Sequence, residues 1–176
     1  SLSKGTNTVK ITVKAQSGAK RTYTLTIVRG KSSGNAGSDP EFDGNYTVSD
    51  GTITGVAVST TVSAFVSNLG CTNGTVSVRT SSGEEKTSDR IGTGDIVKIT
   101  VSGNTSTYTV IIFGDVNGDG EVDLFDFALI KRAILGISEP SGIYWKAADC
   151  NKDGELDLFD FAVVKRYILG VGNISQ

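Results

Sequence analysis

The chain has 176 residues, with 17 Lys+Arg against 19 Asp+Glu, two Cys, and neither His nor Met, a near-neutral composition without the basic excess that grips nucleic acid. Its apolar runs fall far short of the roughly 20 residues a membrane span needs. Without His the commonest general base is missing, and two Cys build neither a disulfide scaffold nor a four-Cys metal site, so any activity must rest on carboxylates, backbone and apolar surface.

The opening SLSKGTNTVK reads neither as a signal peptide nor as a translation start, so the chain is expected to be a piece of a longer protein. Composition then divides it in two. Every Thr falls at or before Thr109; residues 1–114 carry 11 basic and 8 acidic groups, net +3, and residues 115–176 carry 6 and 11, net −5. In the first part Val, Ile, Thr and Tyr alternate in short runs such as VKITV (9–13) and TYTLTIV (22–28), punctuated by Gly, Ser and Asn. This is strand and turn grammar. TVKITVKAQSGAKRTYTLTIVRG, ending at Gly30, is echoed by IVKITVSGNTSTYTVIIFG, ending at Gly114, so the β part holds an internal repeat. The expected organisation is a truncated β repeat over 1–30, a flexible Gly/Ser-rich linker over 31–42, a complete β domain of six or seven short strands over 43–114, and an acidic module over 115–176. A two-strand remnant buries no core alone.

On the GTNTVKITV and RTYTLTIV pattern, both β copies resemble bacterial cadherin-like or immunoglobulin-like repeats. That resemblance implies an all-β sandwich acting as a spacer. Direct carbohydrate binding is not expected, because the aromatics of 43–113, Tyr46, Phe65, Tyr108 and Phe113, alternate as core residues do. Cys150 reads as a small buried hydrophobe rather than a disulfide partner of Cys71, and Tyr144 and Trp145 as packing across a helix interface.

The acidic module is a duplication. DVNGDGEVDLFDFALIKRAILG from Asp115 and DCNKDGELDLFDFAVVKRYILG from Asp149 agree at 16 of 22 positions. Each copy sets oxygen-bearing side chains at loop positions 1, 3, 5, 9 and 12 with Gly at 6, the spacing that wraps a loop around a hard cation. The expected ligands are Asp115, Asn117, Asp119, Asp123 and Asp126 with the carbonyl of Glu121, then Asp149, Asn151, Asp153, Asp157 and Asp160 with the carbonyl of Glu155. Gly120 and Gly154 permit the bend. Four carboxylates per loop, and the preference of calcium for six to eight oxygens, point to two Ca²⁺.

The stretch 124–135 and its copy 158–169 are apolar at nine of twelve positions each. A module of about 60 residues cannot cover such helices on every side, so apolar surface must stay exposed. Phe127, Ile130 and Ile134 with Phe161, Val164 and Ile168 recur at i, i+3 and i+7 and form the expected helix–helix core. Leu124, Phe125, Ala128 and Leu135, with Lys131 and Arg132 beside them, then face elsewhere, as do their copies Leu158, Phe159, Ala162, Leu169, Lys165 and Arg166.

On these loops, with Asp rather than Glu at position 12 and only an exit helix after loop one, residues 115–170 resemble a type I dockerin, a small all-α module with two calcium-loop F-hand motifs. The resemblance implies that Leu124, Phe125, Lys131, Arg132 and their copies face the cohesin module of a scaffoldin. It also implies a secreted, cell-surface-associated protein of polysaccharide degradation, of the cellulosome kind, and the β module placed directly before resembles an X module. No catalytic role is expected of this chain: Glu84 and Glu85 are its only adjacent acids outside the loops, and a glycosidase pair needs two acids held across a cleft. The rival reading is a calcium-stabilised terminal cap or adhesion module without a cohesin partner.

Overall fold

The computed structural model describes residues 5–14, 20–29 and 39–176. The chain divides into two compact units, Ser1–Asp39 and Pro40–Gln176. In the first, β1 (Gly5–Lys14) and β2 (Lys20–Arg29) pair antiparallel, from Gly5 opposite Arg29 to Lys14 opposite Lys20. Their run of Thr, Val, Ile and Tyr favours the extended backbone. Residues 31–38 of the expected linker lie outside the described residues.

The second unit begins earlier than the residue pattern implied. Phe42, assigned to the linker, bridges Cys71 and meets Tyr108 edge-on, with ring centroids 5.9 Å apart. The unit continues with β3 (Thr47–Ser49), β4 (Thr52–Thr54), α1 (Val62–Leu69), β5 (Thr75–Arg79), β6 (Ile96–Val101) and β7 (Asn104–Val110). These strands form one five-stranded sheet in the order β3-β4-β7-β6-β5, antiparallel except where β4 pairs parallel with β7.

Two expectations therefore change. In place of two packed sheets, residues 43–114 show one sheet whose core is closed by a helix, and five strands rather than six or seven. Helix α1 places Val62, Phe65 and Leu69 in the same buried cluster as Val97, Ile99 and Val101 of β6 and Val78 of β5. Thr61 caps its start, its hydroxyl accepting from the Ala64 N–H, and Gly70 ends it in the left-handed conformation at φ 60°. Of the four aromatics expected in the core, Phe65 is fully buried, Tyr46 stacks on it at 5.2 Å, and Tyr46, Tyr108 and Phe113 are partly buried.

Beyond β7 the chain runs through residues 111–114 into α2 (Leu124–Ile134), α3 (Ile143–Ala148) and α4 (Leu158–Ile168). Three successive residues before the first loop are tied to different places. The Thr93 hydroxyl bonds both the N–H and the carbonyl of Ile112 at 3.1 Å. The Gln176 side chain bonds the N–H of Phe113 at 2.7 Å and its carbonyl at 2.9 Å, and the Gly114 N–H donates to the Ala147 carbonyl at 2.8 Å. Ile174 is buried with Val116, Val122, Ile130, Ala148, Cys150 and Val164. Among the described residues, no helix is long and apolar enough to cross a membrane.

Candidate functional site

Each loop leads directly into a helix, and the same acids serve both. Asp123 is the N-cap of α2, its Oδ1 accepting from the Phe125 N–H at 2.7 Å, and Asp126 reaches back to accept from the Asp123 N–H at 2.9 Å. Asp157 and Asp160 repeat this reciprocal capping box on α4, at 2.7 Å and 3.0 Å. Loop positions 9 and 12 are therefore the helix start signals as well as expected ligands.

The remaining oxygens turn inward on backbone amides. Asp115 accepts from Gly118 and Asp119 on Oδ1, at 2.7 and 3.1 Å, and from Thr93 and Gly120 on Oδ2, at 2.7 and 3.1 Å. Asp126 Oδ1 accepts from Val116 and Asn117 at 2.8 and 3.1 Å. In the second loop Asp149 accepts from Asp153 and Gly154 at 3.2 and 3.0 Å, and Asp160 from Asn151 at 3.2 Å. Asn117 donates to Asp119, and Asn151 to Asp153, both at 2.7 Å. The Glu121 and Glu155 N–H groups donate to Asp119 and Asp153, each at 2.9 Å. At φ 82° and 87°, Gly120 and Gly154 hold a backbone conformation that side chains disfavour.

Asp115, Asp126, Asp149 and Asp160 are buried, and among the described residues the ion pairs are Lys86–Asp95 and Arg90–Glu121, so none of these four has a cationic partner. Burial pushes the Asp115 carboxyl from 3.8 up to about 6, the Asp126 charge adding to this while the Thr93, Gly118 and Gly120 amides oppose it. Burial also raises Asp126 and Asp160. Desolvated carboxylates without a counter-charge are costly, and a hard cation would offset that cost. The all-oxygen donor set fits calcium. As they stand, no three acidic or cysteine side chains among the described residues are grouped to enclose an ion, and the Asp115 and Asp126 oxygens accept from amides.

The helices share one core. Ile130 and Val164 are fully buried, and Phe127, Ile134, Phe161 and Ile168 pack against them. The Phe127 and Phe161 rings stack at 4.2 Å. All twelve residues expected to face outward are exposed: Leu124, Phe125, Ala128, Lys131, Arg132 and Leu135 on α2 and its C-cap, and Leu158, Phe159, Ala162, Lys165, Arg166 and Leu169 on α4 and its C-cap. Leu124 and Phe125 are 67% and 72% exposed, and Leu158 and Phe159 68% and 70%. Lys131, Arg132, Lys165 and Arg166 take part in neither ion pair.

Sequence reasoning missed Ile137 and Val171, also strongly exposed. Their signal was the repeated Ile-Leu-Gly followed by one more apolar residue. It also missed Ser59, Arg90 and Thr93, which reach loop one from the β half and carry no local pattern. Tyr144 sits against Gly94 and Gly118 rather than across the helix interface, and the Trp145 indole donates to Glu139 at 3.1 Å. Cys150 is buried and both cysteines are free; burial, with the Asp160 and Asp149 charges, raises its thiol far above the ordinary value.

Residues 113–169 match the family model of the dockerin type I domain. Neither the curated proteins nor the solved structures give a match.

Proposed function

We propose that residues 115–176 form a calcium-dependent docking module that binds a cohesin, with residues 43–114 as its spacer and stabiliser, and that the chain anchors a secreted polysaccharide-degrading or polysaccharide-binding protein to a scaffoldin or cell-surface complex. Dockerin domains in general bind calcium and dock on cohesins. For this chain, one observation carries the reading: two pairs of large apolar side chains, Leu124–Phe125 and Leu158–Phe159, stand about equally exposed on two helices that share capping and core. Such residues are ordinarily covered, and an apolar centre edged by Lys and Arg has the anatomy of a protein–protein interface.

The loops supply the calcium dependence. Asp115, Asn117, Asp119, Asp123 and Asp126 with the Glu121 carbonyl would hold one ion, and Asp149, Asn151, Asp153, Asp157 and Asp160 with the Glu155 carbonyl a second. Bound calcium neutralises the buried carboxylates and fixes the helix starts that Asp123, Asp126, Asp157 and Asp160 cap. The test is capture of the full chain by a panel of cohesins in millimolar calcium and in chelator. Calcium-dependent capture by at least one cohesin is the expected result; no capture across the panel would favour a calcium-stabilised cap or adhesion module.

A further inference from the structure

The two loops are near copies, yet what stands behind them differs. Behind loop one lies the β half. The Thr93 N–H donates to Asp115 at 2.7 Å, the Ser59 N–H donates to the Gly120 carbonyl at 2.8 Å, and Arg90 pairs with Glu121. Packing here is backbone against backbone: a Cβ on Gly92 would run into the Gly118 carbonyl, and one on Gly120 into the Ile91 carbonyl. Thr93 is itself fixed, since its hydroxyl holds both backbone groups of Ile112. Among the described residues, loop two has no such backing from the β half: its cross-chain contact is the Lys152 ammonium over the Phe113 ring, 4.1 Å from the centroid. Residues 151–155 are exposed, and a Cβ on Gly154 would meet nothing within 4 Å. Asp115 accepts four amide hydrogen bonds where Asp149 accepts two.

We propose that residues 90–94 of the β half are a structural part of the first cation site, so that two loops of nearly one sequence hold calcium with unequal affinity, loop one the tighter. A loop held in shape beforehand loses less conformational freedom when its ion binds, and the Thr93 amide adds a charge-assisted bond that aims Asp115. Loop two and α4 are then the half that lets go as external calcium falls, leaving α2 as the presented face. The inference rests on the calcium reading above.

The test is hydrogen exchange of the full chain over graded free calcium, read separately for residues 116–126 and 150–160. Loop two is expected to lose protection at about tenfold higher calcium than loop one, the scale of one charge-assisted hydrogen bond. Equal midpoints, or loop one opening first, would overturn the proposal while leaving calcium binding intact; no calcium response in either loop would overturn both. Gly92→Ala should move the loop-one midpoint about tenfold toward higher calcium and leave loop two in place. Arg90→Ala, an exposed change that spares the core, should move it two- to threefold in the same direction. If neither variant shifts loop one, the β half does not contribute and the proposal fails.

Discussion

The Asp115 carboxyl sits at about 6 rather than 3.8 because burial penalises its charge. In the calcium-free chain this makes protonation a stabilising event. A carboxyl whose folded value lies above its unfolded value contributes stability at pH below about 4, and that contribution disappears as pH rises through about 6. Calcium requires the ionised form and reverses the slope. The melting temperature of stripped protein should therefore fall between pH 4 and 6.5, whereas in millimolar calcium it should rise over the same interval. Asp115→Asn should flatten the first curve, which calorimetry on both forms would check. The duplicated loops were legible in the sequence because their pattern is local, with every acid, Asn and Gly of the expected ligand spacing within twelve residues. The Thr93 amide was not, because its partner lies 22 residues away and any residue but proline supplies the same N–H.

At the scale of elements, α2 and α4 were legible from their apolar period and the duplicated loop that precedes each, and α1 was not. Val62, Phe65, Val66 and Leu69 do follow the i, i+3, i+4, i+7 helical pattern, with Thr61 before and Gly70 after. They stand between strands, however, and an eight-residue helix of Val, Ser and Asn forms only because the sheet covers its apolar face. The parallel pairing of β4 with β7 brings Ile53 opposite Val110 and has no local signature either. Helices α2 and α4 depend on loop acids for their caps, while β3–β7 do not. Chelation should therefore collapse the helical circular dichroism of residues 115–170 and spare the sheet. With micromolar sites and millimolar calcium, each ion would stabilise the fold by about 4 kcal/mol.

The duplicated face gives a second element-scale expectation. With Leu124→Asp and Phe125→Asp together, cohesin affinity should change little, because α4 presents the same set. Adding Leu158→Asp and Phe159→Asp should remove binding, at a cost above about 4 kcal/mol by calorimetry. Loss of binding with one helix altered would show that only one face is used. None of the four substitutions should lower the melting temperature appreciably, because these side chains are already in water.

Over the whole molecule, the chain end belongs to the core of the helical half. Ile174→Ala should cost about 2–4 kcal/mol by denaturant unfolding, since it empties a buried position against Val122 and Gly114. The compact unit Pro40–Gln176 holds the sheet and the loops together, where the residue pattern implied a boundary at 114. The change in composition there coincides with the start of the dockerin match at residue 113 and with the change from strands to loops and helices. Repeats and loops announce themselves over tens of residues, whereas backbone packing such as Gly92 on Gly118 leaves no trace in composition.

The ties on Ile112, Phe113 and Gly114 also bear on how such a module would behave as a tether. Between a helix face and the sheet, the covalent path runs along residues 110–115, where neighbouring peptides are anchored in turn to Thr93, to Gln176 and to Ala147. If the module serves as a tether, drag on its cargo would be divided among these three moorings and the Thr93, Ser59 and Arg90 contacts with loop one, rather than falling on a single peptide.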